Sequence, residues 1–353
     1  MLPAPPPGRQ RAVDRRRRAG ILGVGMAVPE RVLTNADLER MVDTSDEWIV
    51  SRTGIRKRRV ASSSECTSTF AVRAGQEALN RSGLQPEDID LVLCATCSGD
   101  YPWPATACIV QDALGLRGAA AFDLSAACAG FCYGLEVASA LIEAETARHV
   151  LLIGADTLTR YVDWTDRSTC ILFGDGGGAV VLGPCEGNCG VLGSAWGAVG
   201  AHAQSLYVPG GGTRTPLTHE ALEARLDKMI MRGGEVFKFA VRIMGEACLE
   251  ALDRAGVTPD EVDLFVPHQA NIRIIRAAAE RMGLPMDKVF VNVDRYGNTS
   301  AASIPIALYE ALNEGRVRPG DILVFVGFGA GLTWAANVVR WHGTGDKQWN
   351  AVQ

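Results

Sequence analysis

Apolar and polar positions along this chain follow a helical period in some stretches and gather into short unbroken apolar runs in others. Over Thr69–Arg81 and again over Val236–Ala255, apolar residues recur at every third or fourth place, which predicts helices with one buried face. Each helix is expected to stop at a glycine. A proline then precedes a short block rich in Val, Leu and Ile, at Ile89–Leu93 and Val262–Val266. Second helices are predicted over Cys128–Glu145 and Ser300–Asn313, each leading to a continuous apolar strand, His149–Ile153 and Ile322–Val326. Strands that are apolar on both faces and alternate with helices predict mainly parallel sheets covered by helices, an α/β chain.

This grammar is written twice. RSGLQPEDIDLVL (Arg81–Leu93) and RAGVTPDEVDLFV (Arg254–Val266) share Arg, Gly, Pro, Asp and Leu at matching places, 173 residues apart. GILGVG (Gly20–Gly25) matches GVLGSA (Gly190–Ala195) at 170, and Ala140–Gly154 matches Ala311–Gly327 at 171–173. A repeat this long is a duplicated domain and not a solenoid. The expected division is a disordered Arg/Pro-rich arm over 1–19, halves over 20–189 and 190–343, and a tail over 344–353. Two such halves packed together would bring equivalent strand-end loops to one centre, where open α/β sheets bind ligands.

Three of those loops carry the candidate chemistry: FDLSAACAGF (Phe122–Phe131), VPHQANIRII (Val266–Ile275) and DRYGNTSAASIP (Asp294–Pro305). Cys128 lies between small residues at the start of an apolar helix, where the positive end of the helix dipole favours thiolate. A thiol there suits thioester exchange through an acyl-enzyme. The alternative is a buried packing cysteine, the role assigned to the other nine, Cys132 included. His268 follows the strand LFVP, and Asn298 offers an amide N–H. Two fixed donors aimed at one developing oxyanion contribute roughly 10²–10³ in rate each. His149, His202, His219 and His342 are assigned structural places. GFGAGLTW (Gly327–Trp334) and GDGGGAV (Gly174–Val180) lack the lysine of a P-loop and the spacing of a dinucleotide fingerprint. Both read as tight turns near the site, the first offering a backbone N–H.

Composition narrows the partners. The 353 residues are 47% hydrophobic and 21% charged, ordinary for a globular chain. No run of about 18 apolar residues occurs, so no spanning helix is expected, and the basic opening lacks the apolar core of a signal peptide. Residues 1–19 hold six arginines and one aspartate, a net of +5, so a whole-chain charge of −5 leaves −10 for the rest. That acidic body argues against nucleic acid. Ten irregularly spaced cysteines read as reduced thiols in a cytoplasmic setting. Cys94, Cys97, Cys185 and Cys189 assemble a zinc site only on paper, because Cys94 and Cys97 end an apolar strand.

Over about Gly20–Trp341 the chain resembles β-ketoacyl-acyl carrier protein synthase III, the initiating condensing enzyme family of type II fatty acid synthesis. The resemblance is carried by TSDEWIVSRTGI (Thr44–Ile55), the Cys128 segment, DWTDRSTCILFGDGGGAVVL (Asp163–Leu182), GGEVFKFAV (Gly233–Val241), VPHQANIRII, DRYGNTSAASIP and GFGAGLTW. It implies a thiolase-like fold, with duplicated αβαβα halves in five layers around central buried helices. It also implies a catalytic triad of Cys128, His268 and Asn298, with the backbone N–H groups of Cys128 and Ala330 as an oxyanion hole. An acyl-CoA primer would acylate Cys128. Malonyl-acyl carrier protein would then lose CO₂, and the resulting carbanion would attack the acyl group to give a 3-oxoacyl product. Such chemistry needs no metal and no redox cofactor. A thiolase uses a second cysteine late in the chain, whereas none follows Cys248 here; elongating relatives use two histidines, whereas only His268 lies in a family motif.

By the same resemblance, Trp48, Arg52 and Arg167 would clamp CoA, Gly233 and Phe237 would line the pantetheine tunnel, and Trp103 and Phe328 would shape the acyl pocket. Lys238, Arg273, Arg276 and Arg281 would dock an acidic acyl carrier protein. Of the run Arg52, Arg56, Lys57, Arg58 and Arg59, only Arg52 is separated from a solvated charge run. Gly234 departs from a frequent asparagine, Glu280 interrupts the basic patch, and Ala330 replaces a frequent glycine. Trp103 stands where the family usually has a phenylalanine that reaches into the partner subunit, which suggests a short primer such as acetyl. A cytoplasmic homodimer is implied. A specialised condensing relative of secondary metabolism and a silent acyl-CoA-binding homologue remain the alternatives.

Overall fold

The computed structural model describes residues 18–185 and 187–343. The expected arm up to residue 17 and the tail 344–353 lie outside them. Arg18 and Ala19, counted with the arm, open the first strand. In the first half the elements that matter are β1 (Arg18–Ala27), α1 (Asp46–Thr53), α2 (Thr67–Ser82), β2 (Leu91–Ala95), α3 (Thr106–Ala113), β3 (Ala120–Leu124), α4 (Gly130–Glu143), β4 (Val150–Thr157) and β5 (Asp175–Cys185). In the second half they are β6 (Gly190–Ala198), α5 (Gly233–Ala255), β7 (Leu264–Pro267), α6 (Ile272–Arg281), α7 (Ser303–Asn313), β8 (Ile322–Gly329) and β9 (Thr333–Arg340).

The strands form one sheet of order β1-β5-β4-β2-β3 and another of order β7-β8-β9-β6. By their places in the two sheets, β1, β5, β4 and β2 correspond to β6, β9, β8 and β7. The counterpart of β3 is reduced to a single parallel bridge, Phe265 to Val289. The expected halves are present, but the sheets are not mainly parallel. Among the described strands β2–β3, β2–β4 and β7–β8 pair in parallel, while β4–β5, β8–β9, β1–β5 and β6–β9 are antiparallel. The apolar runs misled on this point because a run records burial on both faces, not strand direction.

Both faces are indeed covered. Helices α4 and α7 lie between the sheets and touch strands of each. Their side chains Phe131, Leu135, Ile304 and Leu308 pack with Leu152 of one sheet and Phe325 of the other. Phe131 meets Phe325 edge-on at 6.2 Å, and burying each such ring contributes about 1.5–3 kcal/mol. α2 and α3 cover the outer face of the first sheet, and α5 and α6 that of the second. The result is the five-layered, thiolase-like α/β architecture. α2 and α5 stop at equivalent glycines, Gly83 and Gly256, both left-handed at φ 73° and 67°.

Candidate active site

The Cys128 segment leaves β3 and makes one 3₁₀ turn, Ala127–Ala129, before α4 begins at Gly130. Ala127 is left-handed at φ 47°, a strained state for a residue with a side chain. That strain turns Cys128 toward the interface between the halves. There β8 passes so close that a Cβ at Gly327 would lie 2.8 Å from the Cys128 carbonyl oxygen, and one at Gly329 2.5 Å from its amide nitrogen. The second half repeats the device at Ser300–Ala302, with Ser300 at φ 54° and the Ala301 carbonyl oxygen seated over Gly154 of β4. Each half thus inserts its elbow against the other half's strand.

His268 extends the β7–β8 ladder by one residue, its N–H donating to Val326 O at 2.8 Å. The next residue, Gln269, fastens the turn: its amide donates to Pro267 O and Phe290 O and accepts from the N–H groups of Asn292 and Val293. All four hydrogen bonds of a buried amide are made, which fixes the His268 turn to the loop leading to Asn298. Asn298 is held by its own backbone, which donates to Leu172 O at 2.8 Å and accepts from Gly174 N at 3.0 Å. Its Oδ1 accepts from Ser300 N, which orients the NH₂ end away from that contact.

Cys128, His268 and Asn298 line one cavity of about 90 Å³, together with Phe328, Gly233 and Phe237. Cys128 also borders a second cavity of about 210 Å³, lined by Cys97, Tyr161, Met229, Ser300 and Ala330. The sulfur therefore stands between two compartments. Burial pushes its thiol up to about 12, against the opposing influence of the Ser300 hydroxyl. This reverses the expected thiolate: Cys128 does precede a helix, but desolvation outweighs the dipole. Burial also lowers the His268 imidazole to about 3, so it is neutral. Its Nδ1 lies 2.6 Å from Ser303 Oγ, while Nε2 has no hydrogen-bond partner among the described residues.

The family described as 3-oxoacyl-acyl-carrier-protein (ACP) synthase III matches residues 122–200, and its C-terminal domain matches residues 252–341. The β-ketoacyl-acyl-carrier-protein synthase III of Caldanaerobacter subterraneus subsp. tengcongensis is 53% identical over 323 residues, 92% of this chain and 98% of that one. The enzyme of the same name from Symbiobacterium thermophilum is 56% identical over 325 residues, again 92% and 98% of the two chains. The crystal structure of the Thermus thermophilus synthase III superposes with a TM-score of 0.85 at 51% identity, covering 92% of this chain and 99% of that one. The chain belongs to the β-ketoacyl-acyl carrier protein synthase III family. It is an acyltransferase of the condensing type.

Around this synthase III centre the remaining expected residues fall into three groups. Arg52 and Arg167 lie over the Trp48 ring at 4.9 and 5.1 Å, and the Arg52 carbonyl accepts from Asn271, which lines the first cavity. The three expected CoA residues are thus together beside the cavity that Gly233 and Phe237 line. Lys238, Arg273 and Arg276 are exposed, and Arg273 lies over Phe237 at 5.0 Å. Arg281 is exposed as well, but it lies across Gly245 and pairs with Glu246 at 2.9 Å. Phe328, expected in the acyl pocket, stands on the other side of the sulfur, edge-on to His268 at 5.7 Å. Trp103 borders neither cavity of the single chain and is 84% exposed.

Sequence reasoning missed Ser303 and Gln269, and it misplaced Arg58. Arg58 is fully buried, and its guanidinium donates to Leu33 O, Asn35 Oδ1 and Ile171 O. Burial lowers it to about 10. The missing signal was period two: Lys57–Arg59 is a strand paired with Val32–Thr34, so Arg58 points inward between two outward neighbours. Its grip on Ile171 steadies the segment that holds Asn298. No group of three or more His, Cys, Asp or Glu side chains is placed to hold a metal among the described residues.

Proposed function

We propose that this synthase III joins a short acyl primer, delivered by acyl-CoA, to malonyl-acyl carrier protein, and that Cys128, His268 and Asn298 carry the chemistry. In the first step the Cys128 sulfur attacks the primer thioester, and CoA leaves as its thiol with the cysteine proton. The acyl chain then extends into the second cavity. In the second step the malonyl thioester occupies the first cavity. Its C–C bond breaks, CO₂ departs, and the electron pair becomes an enolate whose oxygen is held by His268 and Asn298. The enolate carbon attacks the acyl carbonyl. The Cys128 and Ala330 N–H groups hold that oxyanion until the cysteine leaves as thiolate, takes a proton and frees the 3-oxoacyl product. No atom gains or loses electrons to an outside acceptor, so the reaction calls for no redox cofactor.

The supporting observation is that one sulfur borders two cavities while His268 and Asn298 line only the first. Carrier-protein docking is assigned to Lys238, Arg273 and Arg276 beside that first cavity. The reading also includes a homodimer. β3 is an edge strand that carries Phe122, 41% exposed, and Trp103 is exposed too, apolar surface that a second copy would cover. The nine cysteines other than Cys189 are free thiols, in keeping with a reducing cytoplasm, and no described helix is long and apolar enough to cross a membrane.

Half-reaction assays test the roles. Cys128→Ser should end acylation by acetyl-CoA and with it condensation. His268→Ala should keep acylation, read by protein mass, and lower malonyl decarboxylation by about 10²–10³. Acylation lost in His268→Ala with decarboxylation intact would reverse the assignments.

A further inference from the structure

We propose that Ser303 sets the tautomer of His268 and so makes the imidazole a hydrogen-bond donor toward the carrier-bound thioester. The inference rests on the reading of the site given above and adds a positioning residue to it. The Ser303 hydroxyl lies 2.6 Å from His268 Nδ1 and 3.3 Å from the backbone nitrogen of Gln269, and all three residues are buried. A backbone N–H can only donate, so Gln269 takes a lone pair of the Ser303 oxygen. The hydroxyl proton then has one acceptor among the described residues, Nδ1.

A neutral imidazole that accepts at Nδ1 carries its proton on Nε2. That nitrogen is buried without a hydrogen-bond partner among the described residues, in a residue that lines the cavity shared with Cys128 and Asn298. Its N–H is therefore free for an oxygen of the ligand. The opposite tautomer fails twice. An Nδ1–H donating to Ser303 would leave the serine proton without an acceptor in a buried place. It would also turn a bare Nε2 lone pair toward the enolate oxygen, where the developing charge needs a donor. Ser303 opens α7, the helix that follows the second elbow, so the fold that places Asn298 also places this hydroxyl. Its counterpart in the first half, by the 173-residue offset, is Gly130, which has no side chain to do the same.

Nitrogen-15 NMR of the histidine-labelled wild-type enzyme, with the His268 signals assigned by their loss in His268→Gln, reads the tautomer directly. The expected result is a bare Nδ1 and a protonated Nε2; a proton on Nδ1 overturns the proposal. Kinetics supply a second readout. Ser303→Ala should keep acylation by acetyl-CoA and KM for malonyl-acyl carrier protein within about twofold, and lower the decarboxylation kcat about tenfold or more. Ser303→Thr, which keeps the hydroxyl, should recover most of that loss. Decarboxylation within about twofold of wild type in Ser303→Ala, or equal losses in the Ala and Thr variants, would also overturn it. An enzyme that fails to acylate at all would refute the reaction, while the nitrogen spectrum would still decide the tautomer.

Discussion

Ala127 and Ser300, 173 residues apart, hold the same left-handed backbone, at φ 47° and 54°. They begin equivalent turns, and the residues that follow them, Cys128 and Ala301, are pressed against equivalent glycines of the opposite half, Gly327 and Gly154. Duplication thus produced two elbows, and the first carries the proposed nucleophile, Cys128, where the second carries Ala301. The exchange of elbows also explains why a cysteine from the first half meets a histidine and an asparagine from the second. Strain at these positions persists because the surrounding backbone leaves no other path.

Close approach at the first elbow predicts that Gly329→Ala acts on acylation before it acts on CoA binding. The added methyl would lie 2.5 Å from the Cys128 amide nitrogen, with backbone rather than a flexible side chain in the way. The elbow must shift, and a misplacement of about 1 Å can cost about 10²-fold in rate. Stopped acylation, followed by mass, should slow by that order while acetyl-CoA affinity stays within about threefold. An unchanged acylation rate would show that the elbow tolerates displacement.

Burial of two titratable groups predicts different pH profiles for the two half-reactions. The Cys128 thiol is pushed up to about 12, so acylation should rise with pH through the neutral range as thiolate becomes available. His268 is lowered to about 3, so decarboxylation by enzyme already acylated should be flat from pH 8 to 5. A fall in that step centred near 6.5 would mean that the imidazole titrates normally. The sign for stability follows from the same shift. A histidine lowered in the folded state contributes its full stability above the unfolded value near 6.5. It loses that stability as pH falls toward 3, because the unfolded chain binds the proton first. His268→Gln should flatten the decline in denaturant midpoint across that window.

Much of this was legible in the sequence, and the failures are instructive. The helix period found α2 and α5, and the offset between RSGLQPEDIDLVL and RAGVTPDEVDLFV found the duplication. Side-chain type and motif brought Cys128, His268 and Asn298 to one cavity. Strand direction was not legible, because β5 and β9 are as apolar as their parallel neighbours. Neither was the state of the Cys128 thiol. Position at a helix start is a local property, whereas desolvation depends on residues more than a hundred positions away, such as Phe328 and Ala330. Arg58 was hidden because alternation cannot be seen when inward and outward residues are all basic.

The buried guanidinium of Arg58 leads to a contrast with its neighbour. Arg58→Met removes donors from Leu33 O, Asn35 Oδ1 and Ile171 O, each buried acceptor left unsatisfied costing about 1–3 kcal/mol. Thermal unfolding should therefore shift down by several degrees, and decarboxylation should weaken as the Asn298 support loosens. Arg59→Met, which removes hydrogen bonds to Pro29 O and Glu30 O at a half-exposed site, should lie close to wild type in both measurements. Equal effects would mean that the run acts through its total charge.

Charge reversal separates the basic residues of the proposed docking face. Arg273 is exposed beside the first cavity and lies over Phe237, and Arg276 is on the same helix one turn further along. The chain's −5 net charge makes this local patch the part that an acidic carrier would be steered toward. Arg273→Glu should raise KM for malonyl-acyl carrier protein about tenfold at low salt, and the difference should shrink as the screening length falls from about 10 Å at 0.1 M to about 3 Å at 1 M. Acylation by acetyl-CoA, a step without the carrier, should not change by more than about twofold. Arg281→Glu is the control. Its guanidinium already pairs with Glu246, so its field at the carrier is partly cancelled and the rise in KM should be smaller. Equal responses at 273 and 281 would locate docking by overall charge and not by this helix face. A salt-independent rise at 273 would assign the arginine to packing on Phe237.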